Sequence, residues 1–476
     1  MQPITYTTIA FYHSAVNQPT TQRFALLGAL TVAIATVVAI ALVPTDPVPK
    51  GALFESALVM TAGLIIAPFL AVCRYPQSLL RAENLIAISP IYWLLLDLLQ
   101  GAYPLDGVSP ENVNTAFLSI GVFVMAMWAG TYLRPWRFPQ SILKSASMHI
   151  SGVTIFRLSV AAFALGMLKF AIPVNFNVLE MFSYLGSGRW AAPWGRGQLG
   201  GWDAFQDQLQ YFGYLLPALT VIVARHDGWT NTKTLCSGAM SIVMTLFLMQ
   251  GGGRRIIGMI FGMALILWVI TQRRFHLKSV ILTLGSTILL LVSLQLMVEY
   301  RNAGLGTLTD RDENAPVFQR EYLHVDDNFL RLSQVISLIP GYYPYVSYKY
   351  ITWVLVRPIP RVFWPGKPLD PGFDLLSAVG VTGVSLSCSV VGELYMSAGF
   401  VGIVIGGFLY GRLARTASQL LSGQLQSSAL IIYAILAMSL FVGVRSMLDL
   451  VLMNYALLAW AGLSLAYMHL KRRQAT

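Results

Sequence analysis

Apolar runs of roughly twenty residues recur along this chain, divided by short polar stretches. A helix of about 20 residues matches the roughly 30 Å hydrocarbon core of a bilayer. The pattern predicts twelve membrane-spanning helices, over 24–43, 52–73, 84–101, 115–133, 151–173, 209–224, 234–250, 255–271, 279–299, 387–411, 427–444 and 447–469. The stretch before the first run is polar and lacks the short basic region that opens a secretory signal, so 24–43 reads as an uncleaved helix. The expectation is an all-α polytopic membrane protein in which 1–476 form one membrane domain. No internal repeat is visible, which weakens the case for an inverted-repeat transporter.

An even number of spans puts both termini on one side, and Lys/Arg bias in the short loops chooses that side. With the termini cytoplasmic, the inner loops carry Arg74 and Arg81, then Arg134, Arg137 and Lys144, then Arg225 and Lys233. Further along come Arg273, Arg274 and Lys278, then Arg412 and Arg415, and finally Lys471, Arg472 and Arg473. Two long segments then fall outside, 174–208 and 300–386. Loops of that length are usually functional or disordered. The second is rich in Tyr, Trp and Pro, and Phe329, Leu332, Val335, Ile336 and Ile339 follow helical spacing. Arg331 and Gln334 fall on the opposite side. This pattern predicts an amphipathic helix lying on the membrane surface.

Composition supports a membrane protein, with 56% hydrophobic and only 11% charged residues against about 25% charged in soluble domains. The net charge of +11 would suggest nucleic acid in a soluble protein. Here the basic residues sit in short clusters between apolar runs, so no nucleic-acid partner is expected. Cys73, Cys236 and Cys388 lie far apart without metal-ligand spacing, which argues against a disulfide framework or a zinc site. Glu55, Asp97, Arg157 and Lys169 fall in or near spans, where charges usually face the interior and pair.

Positive charge on the outer side opposes the topological bias and asks for an anionic partner. The set includes Arg189, Arg196, Arg301, Arg357, Arg361 and Arg445, and arginine suits phosphate because its planar fork donates two parallel bonds. The sharpest case is Gly251-Gly252-Gly253-Arg254-Arg255. Three glycines end one helix, and two arginines open the next, where the helix dipole already favours an anion. Arginines snorkelling to lipid headgroups are the competing explanation.

The run Arg357-Pro-Ile-Pro-Arg361-Val-Phe-Trp-Pro-Gly366-Lys-Pro368 resembles a motif of the bacterial oligosaccharide repeat-unit polymerases of the Wzy type. The similarity is nearest to the branch containing the enterobacterial common antigen polymerase. Supporting features follow in the same order: the Gly251–Arg255 segment, the patch Asp326-Asp327-Asn328-Phe329, the helix opening at Ser389-Val-Val-Gly392-Glu393-Leu-Tyr395, and an Arg445/Asp449 pair. The resemblance covers roughly 250–450.

That resemblance implies a glycosyltransferase-C-like helical bundle with its site at the periplasmic face of a bacterial inner membrane. It implies that undecaprenyl-pyrophosphate-linked repeat units are joined into a surface polysaccharide. Lipid-linked oligosaccharide donor and acceptor, membrane lipids, a chain-length regulator and a flippase are the partners it suggests. The chemistry would need no cofactor and no metal. Arg189, Arg196, Arg254, Arg255, Arg301, Arg357, Arg361 and Arg445 are the candidate pyrophosphate contacts, since preorganised cations stabilise a leaving pyrophosphate. The acceptor hydroxyl needs a general base, for which the candidates are Asp327, Asp326, His324 and Glu393. Asp310-Arg311-Asp312 spells a possible cation-binding pair, the metal-dependent alternative. A ligase that moves finished chain to another lipid, and a flippase or transporter of lipid-linked saccharides, are the competing functions.

Overall fold

The computed structural model describes residues 20–45, 49–102, 108–148, 150–195, 203–272, 277–300, 302–304, 307, 322–323, 325–357, 359, 361, 363–368, 370–380, 386–421 and 426–475. Arg196, Arg301, His324 and the Asp310/Asp312 pair lie outside the described residues. Among the described residues every regular element is helical.

Among the described residues nine helices are long and apolar enough to cross a membrane. They include α1 (Thr20–Ala41), α2 (Phe54–Arg74), α3 (Ala82–Leu99), α4 (Pro110–Gly130) and α5 (Gly152–Ala171). Three other predicted runs form shorter helices: α6 (Leu216–Asp227), α8 (Arg254–Ile270) and α13 (Ser427–Gly443). The run predicted over 209–224 is interrupted because Pro217 sits in the first turn of α6, where its missing N–H costs nothing but a preceding turn cannot continue through it. The remaining long helices are α7 (Thr232–Gln250), α9 (Leu277–Tyr300), α12 (Ser389–Ser418) and α14 (Met447–Lys471). Between α9 and α12 lie α10 (Asn328–Leu338) and α11 (Tyr348–Leu355).

Local chemistry sets these ends. Ser109 caps α4 ahead of Pro110, Ser151 caps α5 and Asn231 caps α7, each accepting a first-turn amide. α13 is buried on consecutive positions from Ala429 to Ile435, so it runs through the interior and not along the rim. α12 and α4 meet closely through small residues: a Cβ on Gly407 or Gly411 would collide with the carbonyl oxygens of Phe123 and Met127.

Contacts gather at two ends. At one, Ser418 donates to Glu83 at 2.6 Å and accepts from Ala82 N, Arg412 donates to the Arg134 carbonyl at 3.0 Å, and Arg225 donates to Thr271 at 2.8 Å. These are the short basic loops. The other end holds the C-termini of α3 and α7 and the N-termini of α8, α12 and α14, so successive helices alternate direction.

The amphipathic helix forms as α10, but its surface placement is corrected. Phe329, Leu332, Val335 and Ile336 are buried against α4 and α12, and Phe329 packs on Phe117 with ring centroids 4.9 Å apart. The apolar stripe was legible; whether protein or lipid covers such a stripe was not.

Candidate functional site

The site is built at the end of the bundle where α8 begins. α7 stops at Gln250, and Gly252 takes φ +67°, a left-handed conformation that strains any residue with a Cβ. Gly253 then opens α8 with no side chain capping it. The Gln250 side chain fastens this turn to the outer segment 174–208, accepting from Trp194 Nε1 at 3.0 Å and donating to the Gly188 carbonyl at 3.2 Å.

Arg254 and Arg255 diverge from that turn onto different carboxylates. Arg254 Nη2 lies 3.5 Å from Asp326 Oδ1, and Arg255 Nη1 lies 2.9 Å from Asp449 Oδ1. Arg445 joins the two, donating from Nε to Asp326 Oδ2 at 2.6 Å and from Nη1 to Asp449 Oδ2 at 2.7 Å. Three arginines therefore face two aspartates, leaving one net positive charge (three minus two). Burial alone would pull Arg445 down, but the carboxylates of Asp326 and Asp449 outweigh it and hold the guanidinium above its ordinary value.

Asp326 is placed by α3. Trp93, Asp97 and Gln100 stand four and three residues apart on one helix face. Gln100 donates to the Leu323 carbonyl at 3.1 Å and accepts from Leu323 N at 2.8 Å; Asp97 accepts from Val325 N at 3.4 Å. Asn328 Nδ2 donates to the Trp93 carbonyl at 2.9 Å. That carbonyl lies in a π-helical turn, Ile91–Leu95, following Pro90. Such turns disturb the regular hydrogen-bond ladder and often mark functional sites. Asp97 thus serves the outer segment, a role its position in an apolar run did not reveal.

Arg445 is placed by Glu393. This carboxylate is only 3% exposed; Oε1 accepts from the Tyr350 phenol and from Ser446 Oγ at 2.6 Å, and Oε2 accepts from Met447 N at 2.6 Å. Burial, and then the Glu393 carboxylate, push the Tyr350 phenol well above its ordinary value, so it stays a donor. Ser387 Oγ also donates to the Arg445 carbonyl at 2.7 Å. Within α12, Ala398 and Gly399 leave the helical region, and the carbonyls of Met396 and Ser397 accept from Val346 N at 2.8 Å and Ser347 N at 2.9 Å. The kink therefore pins the segment that leads into α11 and Tyr350.

The other candidates are spread around this centre. Asp327 pairs with Arg331 one turn along, at 3.3 Å. Arg357 packs over Trp353, with the guanidinium 5.2 Å from the ring centroid. Arg361 donates to the Lys367 and Pro368 carbonyls at 3.2 and 3.4 Å. Lys367 donates to the carbonyls of Arg357 and Ile359 at 2.9 and 2.8 Å, which folds the Trp-Pro-Gly run into a closed loop. Phe363 on that loop meets Phe205 of the outer segment 174–208, with ring centroids 5.8 Å apart. Arg189 lies over Trp190 at 4.2 Å. The structure thus brings Arg254, Arg255, Asp326 and Arg445 together, while Asp327, Glu393 and Arg189 make the contacts described above.

Sequence reasoning passed over Gln250, Tyr350, Ser446, Gln100 and Asn328 as site-building residues. Only the 93/97/100 spacing carried a signal, since three polar-capable groups on one face of an apolar helix need partners. Among the described residues no group of three or more His, Cys, Asp or Glu side chains could hold a metal. No family model, no curated protein and no solved structure matches this chain.

Proposed function

We propose that this protein is a glycosyltransferase of the bacterial inner membrane that polymerises undecaprenyl-pyrophosphate-linked repeat units at the periplasmic face. The observation that carries this reading is the trio Arg254, Arg255 and Arg445 at an uncapped helix start, with one positive charge left over by Asp326 and Asp449. An arrangement of preorganised donors and net positive charge suits a diphosphate at the moment it departs. In the proposed topology twelve helices cross the membrane, both termini are cytoplasmic, and the bundle is of the glycosyltransferase-C type.

The acceptor sugar hydroxyl attacks the anomeric carbon of the donor glycan. Its oxygen forms the new glycosidic bond as the bond from that carbon to the pyrophosphate oxygen breaks, and the electron pair leaves with the lipid pyrophosphate. The hydroxyl proton passes to Asp326, whose Oδ1 has the longer of its two arginine contacts, 3.5 Å against 2.6 Å. Phosphate oxygens drawing Arg254 toward themselves would weaken its hold on that oxygen and make the carboxylate more basic. Arg357 borders the site through Tyr455, which lies within its electrostatic reach and edge-on to Tyr211 at 4.9 Å, and Tyr211 in turn lies within reach of Arg255.

Purified protein incubated with lipid-linked repeat units, without a nucleotide sugar, should yield a ladder of multiples on a gel, and the ladder should persist in EDTA. One discrete product formed only with an added lipid acceptor would replace polymerisation with ligation. Passage of substrate across a vesicle membrane with no new linkage would replace both with transport.

A further inference from the structure

The segment 342–368 contains no aspartate or glutamate, yet it carries Lys349, Arg357, Arg361 and Lys367. Within it, α11 has two apolar faces. Tyr350 and Val354 turn inward and are buried. Tyr348, Ile351 and Leu355, spaced three and four residues apart, turn outward and are 73%, 39% and 64% exposed. Tyr342, Phe363 and Trp364 extend the exposed surface on either side. An apolar patch of this extent, set among aromatic and basic residues, is foreign to a loop bathed in water.

Its neighbours indicate what covers it. Past the kink in α12, Phe400 and Val401 are exposed on a helix apolar enough to cross the membrane. Phe400 touches Tyr395, which touches Tyr345, with ring centroids 5.9 and 6.4 Å apart. The exposed face of α11 is therefore linked, through Tyr345 and Tyr395, to the exposed face of a helix apolar enough to cross the membrane. Aromatic rings and basic side chains beside such a face are the composition of a helix lying in the bilayer boundary.

We propose that α11 is an interfacial anchor, with Tyr348, Ile351 and Leu355 among the upper acyl chains and Lys349, Arg357 and Arg361 at the level of the lipid phosphates. The occupant is the phospholipid bilayer. The surface helix expected at 329–339 is thus replaced by the next helix along. The inward face of the anchor bears Tyr350, the donor to Glu393, so the helix that touches lipid also secures the turn holding Arg445. Arg357 and Arg361 then stand at the depth where any lipid-linked phosphate must arrive. The placement of α11 rests on the chain crossing a membrane and not on the reaction it catalyses.

The test uses the full chain with Cys73→Ala and Cys236→Ala, Cys388 being buried, in vesicles of phosphatidylethanolamine and phosphatidylglycerol. Leu355→Cys is labelled with an environment-sensitive fluorophore, alongside Val401→Cys as the hydrocarbon control and Asp370→Cys as the aqueous one. Leu355→Cys should be quenched by a lipid carrying a nitroxide near the top of its acyl chain, to at least half the extent of Val401→Cys. Iodide should quench it several-fold less than Asp370→Cys. Iodide quenching equal to that of Asp370→Cys would overturn the proposal. Protection from both quenchers would also overturn it, because protein and not lipid would then cover the face.

Discussion

Arg445 donates from Nε to Asp326 Oδ2 at 2.6 Å, although the two residues are 119 positions apart and belong to different outer segments. The same guanidinium reaches Asp449, which is 1% exposed, so one side chain compensates two carboxylates. Removing Arg445 would leave Asp449 with Arg255 and Asp326 with Arg254 as remaining counter-charges, so the cost should fall below the roughly 3–5 kcal/mol of a buried ion pair that loses its sole partner. Arg445→Ala should therefore lower both polymer yield and the thermal unfolding temperature of the detergent-solubilised protein. An unchanged unfolding temperature would show that this arginine is not the keystone of the cluster.

Asp326 and Asp327 are adjacent in sequence but differ in surroundings, and the difference separates their roles. Asp327 is paired with a single arginine on its own helix, a kind of contact worth about 0.3–0.5 kcal/mol. Asp327→Asn should leave polymer yield close to normal, whereas Asp326→Asn should nearly abolish it at matched expression. Equal losses in two folded variants would move the proton acceptor to Asp327.

How much of this was legible in the sequence differs from element to element. The long apolar helices follow from local hydropathy, and the glycine run before Arg254 marks a helix break by itself. The helix at 328–338 was legible from its stripe, but its covering was not, because Phe117 lies more than two hundred residues earlier in the chain. Glu393 resembled a catalytic carboxylate for the same reason: nothing local shows that Tyr350, Ser446 and Met447 N saturate its oxygens. Asp327 and Asp326 rank above the other acids only through a family resemblance, while the clamp that positions Asp326, from Trp93 through Gln100, is a tertiary arrangement. Tertiary partners of polar residues are what a single sequence hides most completely.

Glu393 makes a further test of positioning against catalysis. Glu393→Gln puts an amide donor among three existing donors, which should destabilise the Arg445 turn by about 1–3 kcal/mol. Because the effect passes through Arg445, kcat should fall more than KM rises, and the pH–rate profile should keep its shape. A profile that loses its acidic limb in Glu393→Gln would make this residue the base.

Topology can be read with exposed cysteines in the background lacking Cys73 and Cys236. Asp370→Cys belongs to the end that holds the arginine cluster, and Thr230→Cys belongs to the loop between α6 and α7 at the basic end. A membrane-impermeant maleimide applied to cells with a permeabilised outer membrane should label Asp370→Cys and leave Thr230→Cys unmodified. The opposite pattern would put the cluster in the cytoplasm and remove the basis for a periplasmic site.

The arginines that open α8 provide the most direct test of the proposed chemistry. Arg255 is more exposed than Arg445 and meets Asp449 without the alignment of a hydrogen bond, while Arg254 holds Asp326 at the long distance of 3.5 Å. Arg255 is therefore less enclosed than Arg445 and stands closer to where a ligand would arrive. If the two arginines stabilise the departing pyrophosphate, removing either should cost about 10²–10³ in rate, or roughly 3–4 kcal/mol, the usual consequence of losing one preorganised donor. Arg254→Ala and Arg255→Ala should insert and unfold normally and yet make almost no polymer. Lysine keeps the charge and loses the planar fork, so Arg254→Lys and Arg255→Lys should recover only part of the activity. Arginines that merely reach for lipid headgroups would behave otherwise, since lysine reaches headgroups as well and alanine costs little. Near-normal ladders from both alanine variants at matched expression would therefore sink the assignment of these residues to the pyrophosphate.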